Sequence, residues 1–338
     1  MNDILSKKKG GETRRVSCKI SNLTSSILIG IRMRKVKFTA LVFLLIISAF
    51  TISQIHFDIS VEELKKTYAN EASQFMEIGG MQVHYRDEGK GEIIILIHGT
   101  AASLHTWDAW ANELKKTHRV IRLDLPAFGL TGPHPQHNYS ITMYVDVLHR
   151  LVEKLNLNRF ALAGNSLGGN IAWNYAADYP QETEKLILLD PSGYPSEGKR
   201  PWVFDLAETP ILNSVIKYFT PRSFIHNNLK QVYFEDSKIT EELVARYHKM
   251  TLREGNRDAF IARAKTQYVD NSAKLSKITA PTLILWGKED IWIPPTLGKK
   301  FQQQIPNSIL VIMENVGHIP MEESPQESLE IVKRFLKK

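Results

Sequence analysis

Six short runs rich in apolar residues recur along this chain and constrain its fold more than any other feature. They are Ile93-Ile94-Ile95-Leu96-Ile97, Arg119-Val120-Ile121-Arg122-Leu123, Phe160-Ala161-Leu162-Ala163, Leu186-Ile187-Leu188-Leu189, Pro281-Thr282-Leu283-Ile284-Leu285-Trp286 and Ser308-Ile309-Leu310-Val311-Ile312. Each is too short for a helix and nearly unbroken, as expected of parallel strands covered on both faces. The intervening segments have helical spacing. Ile141 to Leu155, for example, places Met143, Val147, Leu151 and Leu155 on one side. Strand and helix alternating in this way predict a mostly parallel sheet with helices on both faces. Ahead of the first run, Phe75-Met76-Glu77-Ile78 and Met81-Gln82-Val83-His84-Tyr85 flank Gly79-Gly80, which reads as a hairpin. The alternation lapses between about 195 and 275, where Trp202, Phe204, Tyr218, Phe219, Phe224, Tyr233 and Phe234 gather in helical sequence. This predicts a helical cap inserted between two strands of one sheet, within a folded domain over 75–338.

The charge is distributed unevenly. The chain carries a net +7, yet residues 1–38 hold ten Lys or Arg against Asp3 and Glu12, leaving 33 basic and 34 acidic residues for the rest. A body so balanced offers no clustered cationic surface for phosphates, so a nucleic-acid partner is excluded. Residues 1–37 read as a basic tail, and 38–57 carry no Asp, Glu, Lys or Arg. That run has the length of a signal segment and approaches that of a membrane span. The basic flank Arg32, Arg34, Lys35 and Lys37 should stay cytoplasmic. The expectation is a membrane anchor, with the domain on the non-cytoplasmic side, or exported if cleaved near Thr51 or Ser53. Met33 also opens a conventional signal sequence of its own. Residues 58–74, with Val61-Glu62-Glu63-Leu64-Lys65-Lys66, read as a short helical or extended linker. The single cysteine, Cys18, sits in the tail, so the body has no disulfide, cysteine zinc cluster or cysteine nucleophile.

The chemistry is concentrated at Gly164-Asn165-Ser166-Leu167-Gly168-Gly169. This segment follows an apolar strand and precedes a helical run, the setting in which a sharp turn lifts a serine above a sheet. Gly164 and Gly168 stand where side chains would collide. A serine hydroxyl needs a base, and His318, after the last strand, is the candidate. Asp290, after the preceding strand, is the candidate acid that orients it. Both should project from C-terminal strand ends, where open parallel sheets place ligands. His98 rivals His318, and Glu289 and Asp190 rival Asp290. The developing oxyanion requires fixed donors, for which the backbone N–H groups of Leu167 and Thr100 are the candidates. No metal or organic cofactor is implied.

Taken with His98-Gly99, Asp124-Leu125-Pro126-Ala127-Phe128-Gly129, Gly287 to Asp290 and Gly317-His318, these motifs resemble the α/β-hydrolase superfamily, in its serine-nucleophile form with an HG loop and helical cap. The resemblance covers roughly residues 75–338 and implies a Ser166, Asp290, His318 triad. Ala127 stands where the family usually has glycine. Serine at the elbow separates the chain from dehalogenases and epoxide hydrolases, which place aspartate there. Leu167 stands where proline iminopeptidase-like members usually carry tryptophan. Carbon–carbon hydrolases of the meta-cleavage-product type share the G-N-S-x-G-G elbow. They commonly follow the histidine with an aromatic, where this chain has Ile319. The first expectation is a carboxylesterase acting on a small-molecule ester with an apolar acyl or aryl group. The alternatives are a carbon–carbon hydrolase and, in another class, a non-catalytic membrane-tethered binding module.

Overall fold

The computed structural model describes residues 32–49, 55–195 and 201–337. The chain divides into two units, 1–55 and 56–338. In the first unit a helix (α1) runs over 32–49. The tail before it, with Cys18, and the cleavage positions Thr51 and Ser53 lie outside the described residues.

Among the described residues no helix is long and apolar enough to cross a membrane. The physical reason lies in where α1 begins: its eighteen residues start at Arg32 and take in Arg34, Lys35 and Lys37. The apolar stretch is thus only part of a helix whose first two turns are cationic. This overturns the expected membrane anchor over 38–57, and with it the non-cytoplasmic or exported placement built on it.

In the second unit, eight strands form one sheet: β1 (Ser73–Ile78), β2 (Met81–Gly89), β3 (Glu92–Ile97), β4 (His118–Leu123), β5 (Phe160–Asn165), β6 (Thr183–Leu189), β7 (Thr282–Gly287) and β8 (Ser308–Met313). Their order is β1-β2-β4-β3-β5-β6-β7-β8. The expected hairpin is present, with Ile78 paired to Met81 across Gly79-Gly80. β2 runs antiparallel to both neighbours, and the remaining pairs are parallel. Alternate side chains of β3 enter two cores, Ile95 and Ile97 on one face and Ile94 and Leu96 on the other. Burial on both faces is why its sequence is apolar without alternation.

A short helix, α2 (Val61–Tyr68), precedes the sheet, and helices cover its two faces: α3 (Asp108–Leu114), α4 (Ile141–Lys154), α5 (Leu167–Asp178), then α11 (Thr296–Gln304), α12 (Pro320–Glu323) and α13 (Pro325–Leu336). Between β6 and β7 stand α6 (Trp202–Glu208), α7 (Leu212–Ile216), α8 (Arg222–Val232), α9 (Glu241–Thr251) and α10 (Asn256–Ala264), the helical insertion expected from the aromatic-rich stretch. Ser140 caps α4, its side chain accepting the Met143 N–H, and Met143, Val147 and Leu151 are buried as their spacing predicts.

Residues 58–74 are not a free linker. Ser60 caps α2, whose Leu64 is buried against Leu130 and Met250. Just before it, the Ile59 N–H bonds the Leu252 carbonyl at 2.7 Å, and Asp58 pairs with Arg257 on α10 at 2.6 Å. The segment therefore straps the cap to the body.

Candidate active site

The turn from β5 into α5 carries Ser166 at φ +54°, ψ −114°, a conformation a side-chain-bearing residue adopts only under strain. A Cβ on Gly164 would lie 2.2 Å from the Gly168 carbonyl oxygen, and one on Gly168 would lie 2.2 Å from that of Ile97. The two glycines thus do different work: one lets the turn close on itself, and the other lets α5 press against β3. The strain is held by a ring of hydrogen bonds. The Ser166 N–H donates to Leu189, and its carbonyl accepts from the N–H groups of Asn170 and Ser192, each at 3.0 Å. The Ser166 side chain is half-buried.

His318 and Asp290 meet as the sequence suggests. His318 Nδ1 lies 2.6 Å from Asp290 Oδ2, and the Asp290 side chain is sealed from solvent. Asp290 Oδ1 accepts the N–H groups of Trp292 at 2.8 Å and Ile293 at 3.0 Å, which fixes the carboxylate plane. Trp292 also faces the imidazole, ring centroids 5.5 Å apart. Ser166 and His318 line one cavity of ≈ 60 Å³, together with Gly99, Thr100 and Asn165. Leu167, the residue after Ser166, begins α5, so its N–H belongs to the unsatisfied first turn of a helix.

The rivals resolve differently. His98 is fully buried, its Nε2 accepting the Leu125 N–H at 3.0 Å and its Nδ1 lying 2.7 Å from the Gly99 carbonyl. Those partners require the proton on Nδ1, and burial holds the ring below its usual pKa, so it stays neutral. It braces the Gly99-Thr100 loop. Asp124, within the Asp124 to Gly129 motif, is equally structural. It accepts from Leu104 N–H, Leu130 N–H and His84 Nδ1 at 2.7, 2.8 and 2.7 Å. Ala127, in glycine's usual place, sits at φ +81°, which supplies the reason the position favours glycine. Asp290 rather than Glu289 reaches His318, and Asp190 lies directly behind Asp290.

Several supporting residues escaped the sequence reading. Asn165 Nδ2 donates to the carbonyls of His318 at 2.9 Å and Leu189 at 3.2 Å, tying the elbow to the histidine loop. Glu323, buried on α12, accepts the Gly317 N–H at 2.7 Å and those of Phe234 and Glu235 at 2.9 Å each. Its neighbour Glu322 accepts from Arg246, from Tyr247 Oη at 2.7 Å and from Thr106 Oγ1 at 3.0 Å. These adjacent carboxylates fasten the cap to the loop that carries His318. Their only sequence signal is two acids just after a histidine. A second cavity of ≈ 90 Å³ adjoins the first, sharing Thr100, Ile225, Asn228 and Trp292 with it. Trp202, Phe204, Ile216, Phe224 and Phe260 supply much of its wall, so the cap aromatics line the space beside Ser166.

Comparison with known proteins gives the arrangement its context. A 2-hydroxy-6-oxononadienedioate/2-hydroxy-6-oxononatrienedioate hydrolase of Pseudomonas putida is 29% identical, the match covering 76% of this chain and 92% of that protein. The solved meta-cleavage product hydrolase CumD of Pseudomonas fluorescens superposes with a TM-score of 0.68 at 24% identity, over 78% of this chain and 97% of its own. A bacterial membrane phospholipase A superposes with a TM-score of 0.69 at 26% identity, over 90% of this chain and 98% of its own. The curated relatives that carry a specific activity agree better with the carbon–carbon alternative than with the ester expectation. Residues 92–325 match the family model described as alpha/beta hydrolase fold, so the chain belongs to that family and is a hydrolase by kinship.

Proposed function

We propose that the chain is a serine hydrolase that cleaves esters of apolar acids. Ser166 attacks the ester carbonyl while His318 takes its proton, and Asp290 holds the imidazole and answers the charge it acquires. The backbone N–H groups of Leu167 and Thr100 receive the oxyanion. Collapse expels the alcohol, protonated by His318, and the same histidine then activates water to release the acid. The observation that carries the ester reading is the wall of the Ser166 cavity: among the described residues no Lys or Arg lines it. The adjoining cavity is largely apolar and suits an acyl chain.

A second reading, hydrolysis of a carbon–carbon bond in a vinylogous diketone, is favoured by the named relatives. The dienedioate acted on by the Pseudomonas putida protein carries two carboxylates. A carboxylate buried without a cation is strongly disfavoured. The one arginine on the adjoining wall, Arg257, is held by Asp58 through Nε and Nη2, with only Nη1 left without a partner among the described residues, and it lies outside the Ser166 cavity. The readings separate in one comparison of kcat/KM for p-nitrophenyl esters against a 2-hydroxy-6-oxo-dienoate, each with Ser166→Ala as control. Preference for the esters supports the first reading, and preference for the dienoate replaces it with the second.

A further inference from the structure

The proposed mechanism uses one carboxylate, but the structure buries two side by side. Asp190 closes β6 at φ +45° and is wholly buried. A carboxylate oxygen of Asp190, one of Asp290 and a ring nitrogen of His318 all lie within 4.8 Å of one another. Two carboxylates this close in a closed interior share a proton at neutral pH, because burial and the repulsion of the first charge both disfavour the second.

Hydrogen-bond donors decide which of the two keeps the charge. Asp290 has three: His318 Nδ1 and the N–H groups of Trp292 and Ile293. Asp190 Oδ1 has one, the Gly287 N–H at 2.9 Å, and its Oδ2 is buried with no donor among the described residues. A proton on Asp190 makes that oxygen a donor, with Asp290 as its acceptor. The groups facing Asp190 are Asp290, His318 and Glu323. Glu323 is committed to three backbone N–H groups. Burial, reinforced by the Asp290 charge, pushes the Asp190 carboxyl well above the usual carboxylate range.

We infer that Asp190 is a positioning residue, a neutral acid whose O–H is given to the Asp290 carboxylate, so that a single negative charge faces His318. The inference rests on the reading of Asp290 and His318 as the working pair. It gives the strained end of β6 a purpose: the chain turns there to set one acid behind another. The O–H also draws electron density from Asp290, which favours leaving the shared proton on the imidazole.

The test uses the full chain as wild type, Asp190→Asn and Asp190→Ala. Asparagine replaces the O–H donor with an N–H donor of the same size. The infrared difference spectrum of wild type minus Asp190→Asn at pH 7 should contain a protonated carboxylic-acid band. The acid limb of kcat/KM should stay in place in Asp190→Asn, while Asp190→Ala, which has no donor, loses about tenfold in kcat. A difference spectrum showing an ionised carboxylate overturns the proposal. So does a fall of the acid limb by about two units in Asp190→Asn, the shift expected from removing a full charge at this separation. If Asp190→Asn does not fold, wild type labelled with carboxyl-13C aspartate decides, and absence of a protonated carboxyl signal at pH 7 overturns the proposal. A wild type inert toward every ester and dienoate would sink the hydrolase reading, while the spectra still settle the protonation of Asp190.

Discussion

Glu323 follows His318 by five residues, and removing its carboxylate should loosen the histidine loop and the cap together. Glu323→Ala deletes three contacts at once, from Gly317 at 2.7 Å and from Phe234 and Glu235 at 2.9 Å each. A hydrogen bond to a charged group contributes about 1.5–3 kcal/mol. Phe234 and Glu235 are exposed, so their amides turn to water and their share is small, about 1 kcal/mol together. Gly317 is buried, and its N–H loses the bond and keeps the desolvation, about 3 kcal/mol. The total is about 4 kcal/mol, a large part of the 5–15 kcal/mol that holds a typical domain folded. Urea unfolding followed by circular dichroism measures it. Because Gly317 adjoins His318, kcat should fall about a hundredfold with less change in KM, the cost of an imidazole displaced by about an ångström. Wild-type stability together with wild-type kcat in Glu323→Ala would refute this account of how the loop is held.

Three further outcomes follow from the same geometry. Gly168→Ala drives a Cβ to 2.2 Å from the Ile97 carbonyl oxygen, backbone against backbone, and should cost about 3 kcal/mol or more; an unchanged melting temperature would show that α5 can withdraw from β3. Burial holds His105 at about pKa 4, so the folded chain leaves it neutral while the unfolded chain protonates it below pH 6.5. Stability from this group is complete above pH 6.5 and is lost as the pH falls toward 4, by up to about 3 kcal/mol. His105→Gln should lack that part of the pH slope, and an identical slope in the variant would contradict the assignment. On the ester reading, kcat/KM for p-nitrophenyl esters should rise about fourfold per added methylene until the cavity beside Ser166 is filled. Ile216→Trp, which narrows that cavity, should move the optimum to shorter chains, and an optimum left in place would put the acyl group elsewhere.

Local pattern made much of this molecule readable in its sequence. The centres of β3, β5 and β7 are apolar because they are buried on both faces, and a short unbroken run records that condition directly. Gly164 and Gly168 announce the elbow because backbone atoms occupy the space a side chain would need. What stayed hidden depends on contacts between distant segments. Glu323 and Asn165 matter through Phe234 and His318, and no local pattern encodes those meetings. Val61 to Tyr68 form the short helix that a linker reading allows, but two turns carry too little period to reveal the buried side, here Leu64. The misread anchor has a related cause. The expectation over 38–57 rests on that run's own apolarity, whereas the described helix over 32–49 takes in the basic cluster from Arg32 to Lys37. In sequence Asp190 figures only as a rival to Asp290. Its place behind that residue follows from β6 and β7 being neighbours, which chain order does not state.

The central claim is that His318 activates Ser166 for attack on a carbonyl. Reaction of the full chain with a fluorophosphonate, followed by digestion and mass spectrometry, tests it without reference to any substrate. The account predicts one adduct, on Ser166, formed by wild type and essentially abolished in His318→Ala. An adduct on another residue, or labelling of Ser166 that persists in His318→Ala, would contradict it.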